Sequence, residues 1–138
     1  MLGRARSVAV VGLEAIPVAI EAHIGGGLPV LQVIGASGTA SGQAGDRVRT
    51  ALAASGVQLP QCRILVSLAP ADVPKAGARF DLPMAAAVAA ANGDIPRGAL
   101  GGWTLVGELS LDGSVRPVPG ILPSAAAAAL RGARRFAC

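Results

Sequence analysis

Residues 64–92 read ILVSLAPADVPKAGARFDLPMAAAVAAAN, and the rest of the chain is arranged around them. The stretch opens on a strand over 62–68, where Ile64, Val66 and Leu68 alternate with Arg63, Leu65 and Ser67. That period of two fits a sheet with one buried face. It closes on an alanine-rich helix with clear start and stop signals. Asp81 is placed to cap the N-terminus, Pro83 falls in the first turn where its missing N–H does no harm, and Asn92-Gly93 ends it. Between strand and helix lies a loop over 69–80 carrying Pro70, Asp72, Pro74, Lys75, Gly77 and Arg79. Prolines fix its backbone, a glycine permits close approach, and the only lysine of the chain stands in its middle. A loop of that length between two buried elements usually serves a site or an interface.

Outward from this stretch, composition narrows the choices. A chain of 138 residues suffices for a single domain with its own core, residues 1–138. Hydrophobic residues make up 52% and aromatics only 2%, so the core is aliphatic and alanine faces let helices lie close to a sheet. Phe80, Trp103 and Phe136 are too few to build a base-stacking platform for single-stranded nucleic acid. The formal charge is +4, with eleven arginines, of which Arg4, Arg6, Arg131, Arg134 and Arg135 lie near the termini. Such a charge permits contact with phosphate without requiring it. Cys62 and Cys138 are too few for a secreted disulfide scaffold, which points to reduced thiols in a cytoplasmic protein. No apolar run approaches the roughly 20 residues of a spanning helix, so no membrane association is expected. The first residues, MLGRARSVAVVGLEA, carry too short an apolar segment for an export signal.

In chain order, strands over 7–11 and 16–24 form a hairpin about 12–15, and Gly25-Gly26-Gly27 breaks the chain before a strand over 29–34. The segment over 35–45, GASGTASGQAG, reads as a flexible connection. A helix over 43–55 sets Ala44, Val48, Ala51, Leu52 and Ser55 on one stripe and stops at Gly56. Beyond the opening stretch, strands over 104–111 and 114–118 flank Asp112-Gly113, a two-residue hairpin signal. A third helix starts near Pro123-Ser124 and ends at Gly132, and residues 134–138 begin another strand. The order βββ-α-β-α-ββ-α-β describes an α/β (α+β) two-layer sandwich, with a mixed sheet and helices packed on one face. A strand begun so close to the last residue leads us to expect a longer parent chain.

The motif VSLAPADVPKAGARFDLPMA resembles the segment that marks the N-terminal domain of magnesium-chelatase-like AAA+ ATPases of the ComM/YifB type. The matching residues are Leu68-Ala69-Pro70-Ala71-Asp72, Pro74-Lys75, Gly77 and Asp81-Leu82-Pro83. Gly27-Leu28-Pro29, Asp46-Arg47-Val48-Arg49, Val106-Gly107-Glu108-Leu109, Gly113, Arg116 and Pro119-Gly120 extend the likeness over nearly the whole chain. The resemblance implies a fold like the Lon protease domain, with ribosomal-protein-type βαβ connections. It further implies a ring-forming, hexameric parent whose ATP hydrolysis drives DNA branch migration during recombination and transformation. ATP and Mg²⁺ would belong to an ATPase module beyond residue 138, with no cofactor or metal in this domain. Residues 35–42 depart from the family, which usually continues G-L-P-D there.

The same resemblance argues against proteolysis. Lon-type enzymes carry their serine in P-K-D-G-P-S-A-G and their lysine in G-G-L-K. Laid on these, Pro74-Lys75-Ala76-Gly77 puts Arg79 at the nucleophile, and Pro119-Gly120-Ile121-Leu122 puts Leu122 at the lysine. A serine nucleophile needs a positioned base, and neither Ser67 nor Ser124 is placed for the role. A phosphate loop is also missing, since GASGTASG lacks the Gly-Lys pair that must reach the phosphates.

Four cations are candidate nucleic-acid or anion contacts: Lys75, Arg79, Arg47 and Arg49. Lys75 and Arg79 lie near a helix N-terminus, where backbone N–H groups favour phosphate. The structural alternative has Asp81 capping its helix, Arg79 paired with Asp72 or Asp81, Lys75 solvated and Gly77 shaping the loop. For Arg47 and Arg49 the alternative is a solvated helix face. Glu108 is placed to pair with Arg116 across the hairpin, and His23 lacks metal-ligand companions. The function expected is a non-catalytic domain giving ring assembly, with DNA contact in addition. The alternatives are a pure oligomerisation or interaction scaffold, and a Lon-type Ser-Lys peptidase.

Overall fold

Arg4 and Arg6 alternate with Gly3, Ala5 and Ser7, so a strand can keep both guanidinium groups in water while the small residues face inward. The computed structural model describes residues 1–36, 40–75 and 77–138, without the side chains of Ala40 and Ser41. In it β1 (Leu2–Val11) runs well before the expected start, because the charged positions all fall on one face. It pairs antiparallel with β2 (Glu14–Gly25), from Leu2 opposite His23 to Val11 opposite Glu14. The turn between them is only Gly12-Leu13, with Gly12 at φ +61°.

β2 also pairs antiparallel with β4 (Arg63–Ala69), which pairs parallel with β3 (Leu31–Ile34). The resulting mixed sheet has the order β1-β2-β4-β3. Ile64, Val66 and Leu68 are buried as their alternation predicts, beside Ile20 and Val18 of the neighbouring strand. Each such side chain contributes about 1.5–3 kcal/mol on leaving water. Two helices cover this face: α1 (Ala40–Ala54), through Ala44, Val48, Ala51 and Leu52, and α2 (Asp81–Ala91), through Met84, Ala85, Ala87 and Val88. α1 begins three residues before the sequence suggests; the glycine-rich connection read before it falls partly outside the described residues.

The second half is smaller. β5 (Trp103–Leu105) pairs parallel with β8 (Arg135–Ala137), and the Arg135 guanidinium lies 5.4 Å from the centre of the Trp103 ring. β6 (Glu108–Leu109) and β7 (Val115–Arg116) form the expected hairpin, but its turn is wider than two residues. Ser110 N–H donates to Ser114 O at 2.9 Å, and the Asp112 carboxylate accepts Ser114 N–H at 2.9 Å and Ser114 Oγ–H at 2.6 Å. These bonds hold the Asp112 pKa below its ordinary value.

α3 (Ile121–Leu130) differs in placement from the other two helices. Ala127 and Ala128 pack on Val8, which points away from its neighbour Ala9 and from the face that α1 and α2 cover. The α/β sandwich therefore consists of the sheet with α1 and α2, and α3 touches the reverse side near the β1–β2 turn.

Alanine sets the spacing of the covered face. A Cβ added at Gly3 would stand 2.0 Å from the Ala87 carbonyl oxygen and 2.5 Å from the Ala91 nitrogen. Backbone meets backbone there, and no side chain can move aside. Gly3→Ala is expected to destabilise the domain by about 1–3 kcal/mol, the usual cost of overpacking. Thermal unfolding reads it; an unchanged midpoint would mean that the helix does not lie this close.

Candidate functional site

The loop between β4 and α2 is charged in sequence and inward-turned in structure. Lys75 is 1% exposed, and its Nζ donates to the carbonyl oxygens of Pro70 and, at 2.7 Å, of Val73. Three N–H donors on a flexible stem suit this work, since a loop rich in proline lacks backbone donors of its own. Gly77 follows at φ +80°, a conformation that side chains disfavour. The expectation of a solvated or phosphate-reaching Lys75 is thus corrected: its ammonium holds the loop closed from within.

Arg79 is corrected in the same way. It pairs with neither Asp72, which is exposed, nor Asp81. Its Nη2 donates to Ser124 Oγ at 2.5 Å and its Nη1 to Pro119 O at 3.3 Å, both at the entry to α3. Ser124 is fully buried and its hydroxyl donates a hydrogen bond to Gly120 O at 2.6 Å. Burial pushes the Arg79 pKa below its ordinary value, and its Nε is buried without a partner. The loop's far end is therefore fastened to the third helix by a guanidinium.

Asp81 does not cap its helix by side chain; Phe80 stands at the cap position and Asp81 is the first helical residue. The fully buried carboxylate instead accepts three donors from two distant elements. Arg47 of α1 gives Nε to Oδ2 at 2.8 Å and Nη2 to Oδ1 at 3.0 Å, and Leu109 of β6 gives its backbone N–H to Oδ2 at 3.1 Å. The hydrogen bond to Asp81 is the strongest influence on Arg47 and raises its pKa, outweighing burial, with the charges of Asp81 and Glu108 adding to it. Arg47 is consequently an internal tie to Asp81 in place of a freely solvated helix face.

Arg49, one step further along α1, differs: its Nη2 is buried and has no hydrogen-bond partner. It lines a cavity of about 450 Å³ with Gly56, Gln58, Leu59 and Gln61 at the end of the helix. Of the four cations singled out in the sequence, Lys75, Arg79 and Arg47 make hydrogen bonds inside the fold, while Arg49 Nη2, like Arg79 Nε, is a buried donor without a partner. Glu108 and Arg116 are cross-strand partners as expected, but Arg116 Nε donates to Ser110 Oγ at 2.6 Å in place of an ion pair. His23 is exposed, and no cluster of three His, Cys, Asp or Glu suited to a metal occurs among the described residues.

The bonding roles of two buried hydroxyls, Ser7 and Ser124, escaped the sequence reading. Ser7 Oγ donates to Leu105 O at 2.6 Å, joining the main sheet to β5. Its signal was present in the alternation Gly3, Ala5, Ser7, Ala9, which places it on the covered face. Ser124 had no comparable signal, because its partner Arg79 is 45 residues away.

This arrangement ties a loop, three helices and a hairpin together through Arg47, Lys75, Arg79 and Asp81. Residues 20–138 match the family described as subunit ChlI of Mg-chelatase. The chain belongs to that family. The ChlI-family chain is 45% identical over 124 residues to the uncharacterized protein YifB of Salmonella typhimurium, covering 90% of this chain and 24% of the relative. It is 46% identical over 127 residues to the uncharacterized protein Rv2897c of Mycobacterium tuberculosis, covering 92% and 25%. It is 41% identical over 117 residues to the competence protein ComM of Haemophilus influenzae, covering 85% and 23%. The chain thus spans about a quarter of the length of these relatives. No helix among the described residues is long and apolar enough to cross a membrane.

The ties differ in cost. Arg47→Ala leaves the Asp81 carboxylate buried without its cation and should destabilise by about 3–5 kcal/mol. Lys75→Met keeps the stem but strands two carbonyls, at about 1–3 kcal/mol. Chemical denaturation measures both; a loss below 1 kcal/mol for Arg47→Ala would show that water replaces the guanidinium freely.

Proposed function

We propose that this chain is a non-catalytic N-terminal domain of a magnesium-chelatase-like AAA+ ATPase, working in DNA recombination or branch migration, and that its own task is assembly. Its likeness to a competence protein supports the DNA process. The observation that carries the assembly role is the inward turn of the signature loop. Lys75, Arg79 and Arg47 are engaged with Pro70, Ser124 and Asp81, so the groups best placed by sequence for phosphate hold the domain together instead. A loop fixed this firmly serves as a shaped surface for another protein body.

The reading as a Lon-like fold without its dyad draws support from the same contacts. Arg79 meets the segment Pro119–Ser124, the two places where the resemblance would set nucleophile and lysine. The Ser124 hydroxyl is oriented by a guanidinium and donates to a carbonyl, which leaves no base to accept its proton. Leu122 is 80% exposed and carries no amine. ATP and Mg²⁺ are assigned outside these residues, since the sequence has no Gly-Lys phosphate-loop pair.

DNA contact by this domain is left to Arg49 and to exposed arginines such as Arg4, Arg6 and Arg63. Full-length protein should hydrolyse ATP and move DNA junctions, whereas this chain alone should cleave no unstructured protein. Turnover of casein by the chain, abolished by Ser124→Ala, would overturn the non-catalytic reading. Branched-DNA binding at low salt by this chain, lost with Arg49→Ala, would shift its task from assembly to DNA contact.

A further inference from the structure

The reverse face of the sheet is only partly covered by α3, and a cavity of about 450 Å³ opens there. Its floor is small and apolar, with Val8, Pro17 and Ala19 from the first hairpin and Ala128 from α3. Arg6 and Arg131 line it, no acidic residue does, and neither guanidinium has a side-chain partner among the described residues. One wall is Ala69-Pro70, at the start of the signature loop, whose Pro70 carbonyl is held by Lys75. The start of the β4–α2 loop therefore forms part of the rim of this opening.

The complementary shape stands on the same molecule. The tip of the β1–β2 hairpin presents Leu13, fully exposed, beside Glu14, an exposed carboxylate with no side-chain partner among the described residues. Val11 adjoins it at 37% exposure. An apolar knob with an adjacent anion matches an apolar hollow between two cations. The knob cannot fill its own hollow: Leu13 lies five residues beyond Val8 on the same hairpin, about 16 Å along an extended strand.

We propose that the cavity receives the Leu13–Glu14 tip of a second copy of this chain, with Leu13 on the apolar floor and Glu14 between Arg6 and Arg131. Two copies can exchange tips about a two-fold axis, or pass the contact head-to-tail so that it closes a ring or propagates a filament. Nucleic acid is the poorer occupant, because the floor offers small aliphatic groups and no aromatic face for a base. This inference rests on the assembly role proposed above and names its contact.

The test uses full-length protein in a background stripped of native cysteines, Cys62 and Cys138 included. Chains carrying Leu13→Cys are mixed with chains carrying Ala19→Cys and treated with a short bis-maleimide. A cross-linked dimer abundant in the mixture and scarce in either population alone is expected. Arg6→Glu should weaken self-association several-fold in sedimentation, and adding Glu14→Arg to the same chain should restore it. Assembly that persists with no mixed cross-link and no effect of Arg6→Glu overturns this contact while leaving the assembly role standing. A full-length protein that stays monomeric at all concentrations, with or without nucleotide, overturns the assembly role itself.

Discussion

Three parts of the chain meet on one carboxylate. Asp81 begins α2, and its two oxygens receive the guanidinium of Arg47 from α1 and the backbone N–H of Leu109 from β6. Removing two charges from water is costly, and such a pair adds little net stability over a well-packed apolar contact. Its value here is positional. A flat guanidinium and a carboxylate bond well in few relative orientations, so α1 cannot slide along α2 without losing both bonds. Alanine faces need such a constraint. Ala85, Ala87, Ala89 and Ala91 present smooth surfaces with little interlocking, and they would tolerate several registers.

The loop ahead of Asp81 obeys the same logic. One cation is spent on the loop's own carbonyls and the next on the start of α3, so the path from β4 to α2 is held at both ends. The apolar hollow beside Pro70 and the buried donor of Arg49 lie on two different sides of this frame. For a chain that makes up about a quarter of its ChlI-family relatives, surfaces of this kind are where the rest of a larger protein or another copy would bear.

Much of the fold was legible because burial imposes a period. Ile64, Val66 and Leu68 read as one face of a strand and are so, and the helix from Asp81 to Ala91 has Pro83 in its first turn and stops at Asn92 as read, though Asp81 is not its cap. The hairpin at Asp112-Gly113 was legible in kind but not in width, since the Asp112 carboxylate organises a turn that the dipeptide alone does not describe. The site was legible in its residues and misread in their direction. A local rule makes Asp81 a cap, whereas its partners lie 34 and 28 residues away. A lysine among prolines reads as solvated, and only the closed path of the loop reveals carbonyls waiting for it. Long-range polar partners leave no period in a sequence, and that is why the charged residues were found and their roles were not.

Lys75 has a chemical consequence of a different order. It is the only lysine, and at 1% exposure its amine is out of reach of reagents in solution. Acylating agents, aldehydes and lysine-directed conjugating enzymes therefore find no addressable lysine on the folded domain. Its cationic surface is built of guanidinium groups, which such chemistry leaves untouched.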